Sequence, residues 1–202
     1  MAHWGYCIQP FGQNMKKHLI LASASKRRSK ILSELGVSFT VISPDVDELI
    51  HVENPEGTVI ENSLRKNEWC RNRFKDAYIM SADTIVEFNG HIMTKPDSLD
   101  EARRFLRMLS GQTHRVFTGI AFSRPDSSPE TRVDISLVTF KNLSDEMIRD
   151  YLNKVNPMDR AGAYDIDENG DLLIASFTGS RTNIMGLSAE TSVDLLKPEG
   201  FL

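Results

Sequence analysis

Apolar and polar positions in the first third of the chain predict strand, helix, strand and helix in turn. The apolar run 18–22 is typical of a short buried strand. A helix is predicted next, because apolar residues recur at helical spacing between Ser25, a residue type that caps helix starts, and Gly36, which ends the helix. Alternation over 37–42 predicts a second strand, and 55–74 reads as a polar helix that faces solvent.

A central strand follows, and it places an acidic residue where we expect a break. The apolar run 77–80 leads into Ser81-Ala82-Asp83-Thr84, after which strand-type residues resume up to a hairpin turn at Asn89-Gly90. The expected break puts Asp83 at a strand end, where catalytic acids commonly lie. The remaining predicted elements are a helix from Ser98 to Leu109, hairpin strands over 113–123 and 131–140, a helix from Ser144, a strand over 172–177 and a last helix from Asn183 to Pro198.

Helices between strands, together with a β-hairpin, predict an α/β fold with a mixed twisted sheet flanked by helices. No repeat or linker divides the chain, so we expect a single domain over 18–202. Residues 1–17 show no periodicity and are predicted to be an N-terminal extension without chemistry.

Composition narrows the class of protein. With 202 residues, 40% hydrophobic and 26% charged, the chain is typical of a folded globular protein, and a net charge of -4 argues against nucleic-acid binding. The cysteines Cys7 and Cys70 lie far apart, which disfavours a zinc site or a disulfide framework. We find no signal peptide or membrane span, so we expect a cytoplasmic protein without a membrane partner.

A basic cluster opens the first helix. Lys26, Arg27 and Arg28 follow the Ser25 cap, where the helix dipole disfavours cations. Free N–H groups, the hydroxyls of Ser23 and Ser25, and two guanidinium groups would together bind a polyphosphate. A solvated basic helix end is the alternative, and the conflict with the dipole favours the polyphosphate site.

Other polar residues extend this candidate site. Glu48 lies in an acidic loop and is a candidate ligand of a divalent cation. Lys95 lies just past the hairpin that follows Asp83 and could neutralise phosphate. In the polar helix, Arg65 or Lys66 could point into the site, whereas His114 is better explained by a structural hydrogen bond.

Blocks of the sequence resemble the Maf family of nucleotide pyrophosphatases, first noted as septum-formation inhibitors. The resemblance covers residues 18 to about 196. The blocks that carry it are Leu21-Ala22-Ser23-Ala24-Ser25-Lys26-Arg27-Arg28, Ser81-Ala82-Asp83-Thr84-Ile85-Val86, Lys95-Pro96, Leu109-Ser110-Gly111-Gln112-Thr113-His114-Arg115-Val116-Phe117-Thr118-Gly119, Asp159-Arg160-Ala161-Gly162-Ala163-Tyr164 and Asn183-Ile184-Met185-Gly186-Leu187.

The resemblance implies a fold shared with inosine triphosphate pyrophosphatases, with two lobes around a nucleotide cleft, and a homodimer. It implies an enzyme that uses Mg²⁺ or Mn²⁺ to hydrolyse a nucleoside triphosphate to the monophosphate and pyrophosphate. Such an enzyme is a hydrolase acting on acid anhydrides, and it can remove non-standard nucleotides. It assigns Asp83 as the proton acceptor and Glu48 as an acidic active-site residue, and both would hold the metal. It assigns Lys95, Arg27 and Arg28 to phosphate binding. The base would be selected by Arg27, Thr84 and Asp167.

This chain departs from the family pattern at positions that bear on specificity. The family has a lysine in the second helix. An alignment without gaps places Asn67 at that position, and an alignment shifted by one residue places Lys66 there. Arg27 and Thr84 match the dTTP/UTP branch, which we favour, whereas an acid at Asp167 resembles the branch acting on 7-methyl-GTP. A carboxylate only accepts hydrogen bonds, so it suits a purine or cytosine amino group. The alternatives are therefore a 7-methyl-GTP- or CTP-directed enzyme of the family and a non-enzymatic, nucleotide-binding regulator of cell division.

Overall fold

The computed structural model describes residues 17–202, so residues 1–16 of the predicted extension lie outside the described part. Within that part the strands form one seven-stranded mixed sheet in the order β2-β1-β3-β5-β6-β7, with β4 paired to β3. The elements are β1 (Leu19–Ala22), α1 (Lys26–Glu34), β2 (Thr40–Ile42), α2 (Pro55–Arg71), β3 (Tyr78–Phe88), β4 (His91–Met93), α3 (Leu99–Leu109), β5 (Thr113–Ser123), β6 (Glu130–Phe140), α4 (Asp145–Lys154), β7 (Ile174–Thr178), α5 (Arg181–Met185) and α6 (Ala189–Leu196).

Helices cover both faces of this sheet, which confirms the predicted mixed α/β fold. α2 packs on one face, where Val59 meets Ile85 and Phe117. On the other face, α1 and α6 cover one half of the sheet, and α3 and α4 cover the other half. No helix within residues 17–202 has the length and apolar character needed to cross a membrane.

The predicted helix starts at Ser25, Ser98 and Ser144 are confirmed, and Asn54 starts α2 in the same way. Each of these side chains accepts a hydrogen bond from the backbone N–H three residues further on, which satisfies a group that has no partner inside the helix. The hairpin turn is also confirmed, with Asn89 and Gly90 both at positive φ.

The predicted break in the central strand is wrong. β3 runs without interruption through Asp83, which pairs with Gly119 of β5. The interruption lies in the neighbouring strands on the other edge, because β1 ends at Ala22 opposite Ser81 and β4 pairs only from Val86 onward. Asp83 therefore lies in mid-strand beside an open stretch of sheet edge.

Three other predicted elements differ from the structure. The second strand covers only Thr40–Ile42, and a 3₁₀ turn at Gly170–Leu172 delays the strand predicted over 172–177 until Ile174. The last predicted helix is two helices, because Ser180 caps the first, Gly186 ends it at positive φ and Ser188 caps the second. A turn accounts for the last two differences, because it shortens the strand and divides the helix.

α2 approaches the sheet closely at the level of Asp83, and Gly119 makes this possible. A Cβ atom on Gly119 would lie 2.5 Å from the carbonyl oxygen of Val59 in α2, so only a residue without a side chain fits there. The close approach brings the polar side chains of α2 to the sheet.

His114 lies in the core, as its structural interpretation predicts. Its side chain is buried, its Nε2 atom is 2.8 Å from the hydroxyl of Tyr164, and its ring packs edge-on against Phe140 and Tyr164. Burial lowers the pKa of His114 to about 4, so the folded protein holds this ring neutral at pH values well below its ordinary range.

Acidification is expected to destabilise the wild type more than a His114→Gln variant. In the unfolded chain the histidine binds a proton at its ordinary pKa of about 6.5, whereas the folded state resists protonation down to about 4. The unfolded state then binds more protons in this window. Between about pH 7 and pH 5, the wild type should therefore lose about 2 kcal/mol more of its free energy of unfolding than the variant does. Urea unfolding at both pH values measures it, and equal losses in the two proteins would contradict the prediction.

Candidate active site

A cavity of about 640 Å³ lies at the open stretch of the β3 edge. It is large enough for a drug-sized or nucleotide-sized ligand. Its walls come from 22–28 at the start of α1, the loop 43–50, α2, the β3 residues 83–86, the connection 94–95, and the segments 159–166 and 184–186. The cavity therefore lies along the edge of β3.

An acidic centre lies on the face of β3 that α2 covers. Lys66 of α2 places its Nζ atom 2.6 Å from Oδ1 of Asp83 and 2.6 Å from Oε1 of Glu48. Asn62, one turn earlier on the same helix, donates from Nδ2 to the other oxygen of Asp83 at 3.0 Å. The structure thus brings Asp83 and Glu48 together around one ammonium group.

Asp83 is buried and charged. Burial alone would raise the pKa of its carboxyl group, but the ammonium of Lys66, then Arg28 and the amide of Asn62, act more strongly and lower it. Asp83 is therefore an ionised carboxylate at neutral pH, with 4% of its surface exposed at the cavity wall.

The start of α1 forms a positively polarised wall opposite this centre. Ser25 caps the helix, and the N–H groups of the first turn have no acceptor inside the helix. Ser23, Ser25, Lys26 and Arg27 line the cavity. This placement agrees with the predicted polyphosphate site, since helix N-termini bind anions.

Arg28 points into the protein, and this differs from a phosphate-binding pair in which both guanidinium groups face a ligand. Its Nε donates to the carbonyl of Gly186 at 2.7 Å, and its Nη1 donates to Ser23 Oγ at 3.0 Å and to the carbonyl of Ala82 at 2.8 Å. Its Nη2 donates to Thr84 Oγ1 at 3.0 Å. Burial lowers the pKa of Arg28, while Asp83 and Glu48 act in the opposite direction. Most of its donors therefore serve the protein itself.

Arg27, in contrast, lies along the cavity wall. Its Nη2 donates to the carbonyl of Asp159 at 2.9 Å, and its Nη1 is 3.6 Å from Oδ2 of Asp165. The side chain is 24% exposed. Lys26 and Lys95 also line the cavity as exposed cations, and neither has an ion-pair partner among residues 17–202. These three side chains are placed to meet an anionic ligand.

Asp167 is exposed, and its base-selecting role stays a prediction. Its carboxylate is held by Arg181, with 2.7 Å from Oδ1 to Nη2, and by Lys30 at 3.4 Å, and it is not part of the cavity wall. The reason is a turn in which the carboxylate of Asp165 accepts hydrogen bonds from the N–H groups of Asp167 and Glu168. This turn directs Asp165 inward and Asp167 outward.

The structure assigns the lysine of the second helix to Lys66, because Asn67 points into the sheet and donates to the carbonyls of Ile79 and Ala121. Of Arg65 and Lys66, either of which could point into the site, it is Lys66 that does so, with only 8% of its surface exposed. All other predicted site residues line the cavity: Ser23, Ser25, Arg27, Arg28, Glu48, Lys66, Asp83, Thr84 and Lys95. Their chemical roles stay predictions.

Sequence reasoning missed two residues of this site. Asn62 lies four positions before Lys66, and this spacing places both on one face of a helix, so a helical projection could have found it. Asp165 gave no comparable signal, because its inward direction depends on the turn that it stabilises itself.

The chain is similar to known proteins over most of its length. A family model described as "Maf-like protein" matches residues 18–199. The dTTP/UTP pyrophosphatase of Symbiobacterium thermophilum is 38% identical over 92% of this chain and 95% of its own length. That of Dictyoglomus thermophilum is 39% identical over 93% and 98%. Among solved structures, the Staphylococcus aureus Ham1 protein aligns with a TM-score of 0.47 and 17% identity over 62% of this chain and 73% of its own.

The different placement of the two arginines can be tested through stability. Arg28→Lys is expected to lower the free energy of unfolding by roughly 1.5–3 kcal/mol, because one ammonium cannot replace a guanidinium that reaches four buried acceptors. Arg27→Lys, at a partly exposed position, is the matched control and should cost less than about 1 kcal/mol. Chemical denaturation measures both, and equal losses would contradict the assignment of Arg28 to the fold.

Proposed function

The chain belongs to the Maf family, and on this premise we propose that it hydrolyses dTTP and UTP to the nucleoside monophosphate and pyrophosphate. One observation supports the proposal most strongly. The ionised, buried carboxylate of Asp83 and the N-terminus of α1 with Arg27 line a single cavity of about 640 Å³, large enough for a nucleotide.

The cationic wall binds and orients the phosphates in this proposal. Backbone N–H groups at the start of α1, together with Arg27, Lys26 and Lys95, offset the charge of the triphosphate chain. Because Lys26 and Lys95 have no protein carboxylate to satisfy within the described residues, their charge is available to the substrate. Lys95 then neutralises charge that develops on the phosphates in the transition state.

Asp83 orients the attacking water on the opposite wall. One of its oxygens contacts Lys66 and the other contacts Asn62, so the carboxylate plane is fixed at the cavity wall. A carboxylate in this position accepts the proton of a water that attacks the α-phosphorus in line with the leaving pyrophosphate. Catalysis then depends mainly on positioning and charge, as in other phosphoryl transfers.

The donor set fits a divalent cation that binds together with the substrate. Asp83 and Glu48 both contact the ammonium of Lys66, so the two carboxylates lie near each other, and Mg²⁺ is commonly held by one or two carboxylates plus substrate phosphates. The described residues contain no group of three acidic, histidine or cysteine side chains that would hold a metal by itself. A bound Mg²⁺ or Mn²⁺ supplies charge neutralisation at the phosphate oxygens.

The preference for dTTP and UTP is supported by Arg27 and Thr84 in the cavity and by the names of the relatives. The 7-methyl-GTP and CTP alternatives rested on an acid at position 167, and the ion pair of Asp167 with Arg181 turns that acid away from the cavity. A cytoplasmic homodimer with a role in septum formation stays a prediction from the family resemblance. Light scattering of the purified chain tests the dimer, and a monomeric mass would contradict it.

The activity is tested with dTTP, UTP, CTP and 7-methyl-GTP in the presence of Mg²⁺. We expect pyrophosphate and the monophosphate from dTTP and UTP, and a loss of about 10²–10⁴-fold in kcat for Asp83→Asn, because the amide cannot accept the proton. Asp167→Asn is the matched control and should keep its turnover. Equal, slow release by wild type and Asp83→Asn would instead support the non-enzymatic regulator, and orthophosphate as product would exclude a pyrophosphatase.

The cation is tested separately. EDTA should abolish pyrophosphate release, and Mg²⁺ or Mn²⁺ should restore it. Glu48→Gln should raise the Mg²⁺ concentration that gives half-maximal activity by roughly tenfold or more, because a charged ligand is lost. Glu61→Gln is the control, since Glu61 pairs with His51 and does not line the cavity. Full activity in EDTA would overturn the cation proposal while leaving the hydrolase intact.

A further inference from the structure

Asn62 joins the two parts of the acidic centre through one buried amide group. Its Nδ2 atom lies 3.0 Å from Oδ2 of Asp83 and 2.9 Å from the carbonyl oxygen of Leu49. Its Oδ1 accepts from the N–H of Leu49 at 2.8 Å. Only 2% of Asn62 is exposed. The same side chain therefore contacts the acid of β3 and the residue next to Glu48.

The contact with Leu49 is a pair of hydrogen bonds in opposite directions. The amide side chain donates one hydrogen bond to the backbone of Leu49 and accepts another from it, as paired residues of two antiparallel strands do. The two bonds together fix the position and orientation of Leu49. Glu48 is adjacent to Leu49, and its loop has no regular secondary structure. The position of the Glu48 carboxylate thus depends on this amide.

The contact with Asp83 fixes a carboxylate that Lys66 alone would leave free to rotate. The terminal torsion of an aspartate side chain has a broad, roughly two-fold preference, so one contact does not set its plane. Lys66 holds one oxygen through a long, flexible side chain, and Asn62 holds the other from a short, rigid one. Two donors on separate oxygens define the plane.

We propose that Asn62 is a positioning residue that sets the orientation of Asp83 and its distance from Glu48. This proposal rests on the proposed pyrophosphatase function, since it assigns Asn62 a part in the turnover of that reaction. It predicts a defect in kcat with little change in nucleotide binding, because the phosphate-binding wall at α1 makes no contact with Asn62.

Asn67 provides a matched control on the same helix. It is buried like Asn62, but it donates to the carbonyls of Ile79 and Ala121 at 3.1 Å each, inside the sheet, and it does not line the cavity. Its substitution removes buried hydrogen bonds of comparable number without touching the acidic centre. A purely structural role for Asn62 would make the two asparagines behave alike.

The experiment compares Asn62→Leu, Asn62→Ala and Asn67→Leu with wild type, using dTTP and Mg²⁺. Both Asn62 variants should lose about 10–100-fold in kcat with KM within about twofold of wild type, since small displacements of reacting groups have effects of this size. Asn67→Leu should lower the melting temperature and keep kcat. Circular dichroism and the melting temperature establish which variants are folded, and the alanine variant replaces the leucine variant if leucine overfills the site.

The outcomes separate this proposal from the function on which it rests. Wild-type turnover together with unchanged kcat in the folded Asn62 variants would overturn the positioning role alone. The positioning role would also be overturned if Asn67→Leu lost as much kcat as the Asn62 variants, because the loss would then come from the helix as a whole. A wild type that releases no pyrophosphate would overturn the proposed function and the positioning role together.

Discussion

One buried guanidinium group completes the sheet where its strands stop pairing, and the cavity owes its shape to this interaction. Between Ser81, where the ladder to β1 ends, and Val86, where pairing with β4 begins, β3 has no strand on its outer edge among residues 17–202. Arg28 supplies a donor to the carbonyl of Ala82 in this stretch and another to Gly186 beyond α5. Because buried backbone carbonyls need partners, this side chain lets the edge remain open without a large energetic penalty.

The charges around this edge are balanced before any ligand binds. The buried cations Arg28 and Lys66 stand beside the carboxylates of Asp83 and Glu48, and Arg27 contacts Asp159 and Asp165. A triphosphate must therefore be neutralised by groups outside this balance. In the proposed function those groups are the free N–H ends of α1, the exposed cations Lys26 and Lys95, and the proposed divalent ion, while Arg27 is shared between its carboxylates and the phosphates.

The sequence predicts this fold wherever local chemistry decides the structure, and it fails where packing does. The caps at Ser25 and Ser98 and the Asn89-Gly90 turn depend on neighbouring residues alone, so they were predictable. The buried side of α2 is polar, so the sequence does not show which of its polar residues face the sheet. Asn62, Lys66 and Asn67 face the sheet there, each satisfied by partners far away in the chain. Asp167 faces outward through a turn closed on the carboxylate of Asp165, and it pairs there with Arg181; composition shows neither contact.

The register of β3 explains why an open edge is needed at all. Adjacent residues of a strand point to opposite faces, so Asp83 meets Lys66 under α2 whereas Thr84 meets Arg28 and Gly186 on the other side. A strand paired on both edges would separate these two residues with a continuous sheet. Only at an unpaired edge can one ligand contact both faces. In the proposed reaction, the nucleotide therefore spans the edge of β3, with the acidic centre on one face and the wall of Arg27 and Thr84 on the other.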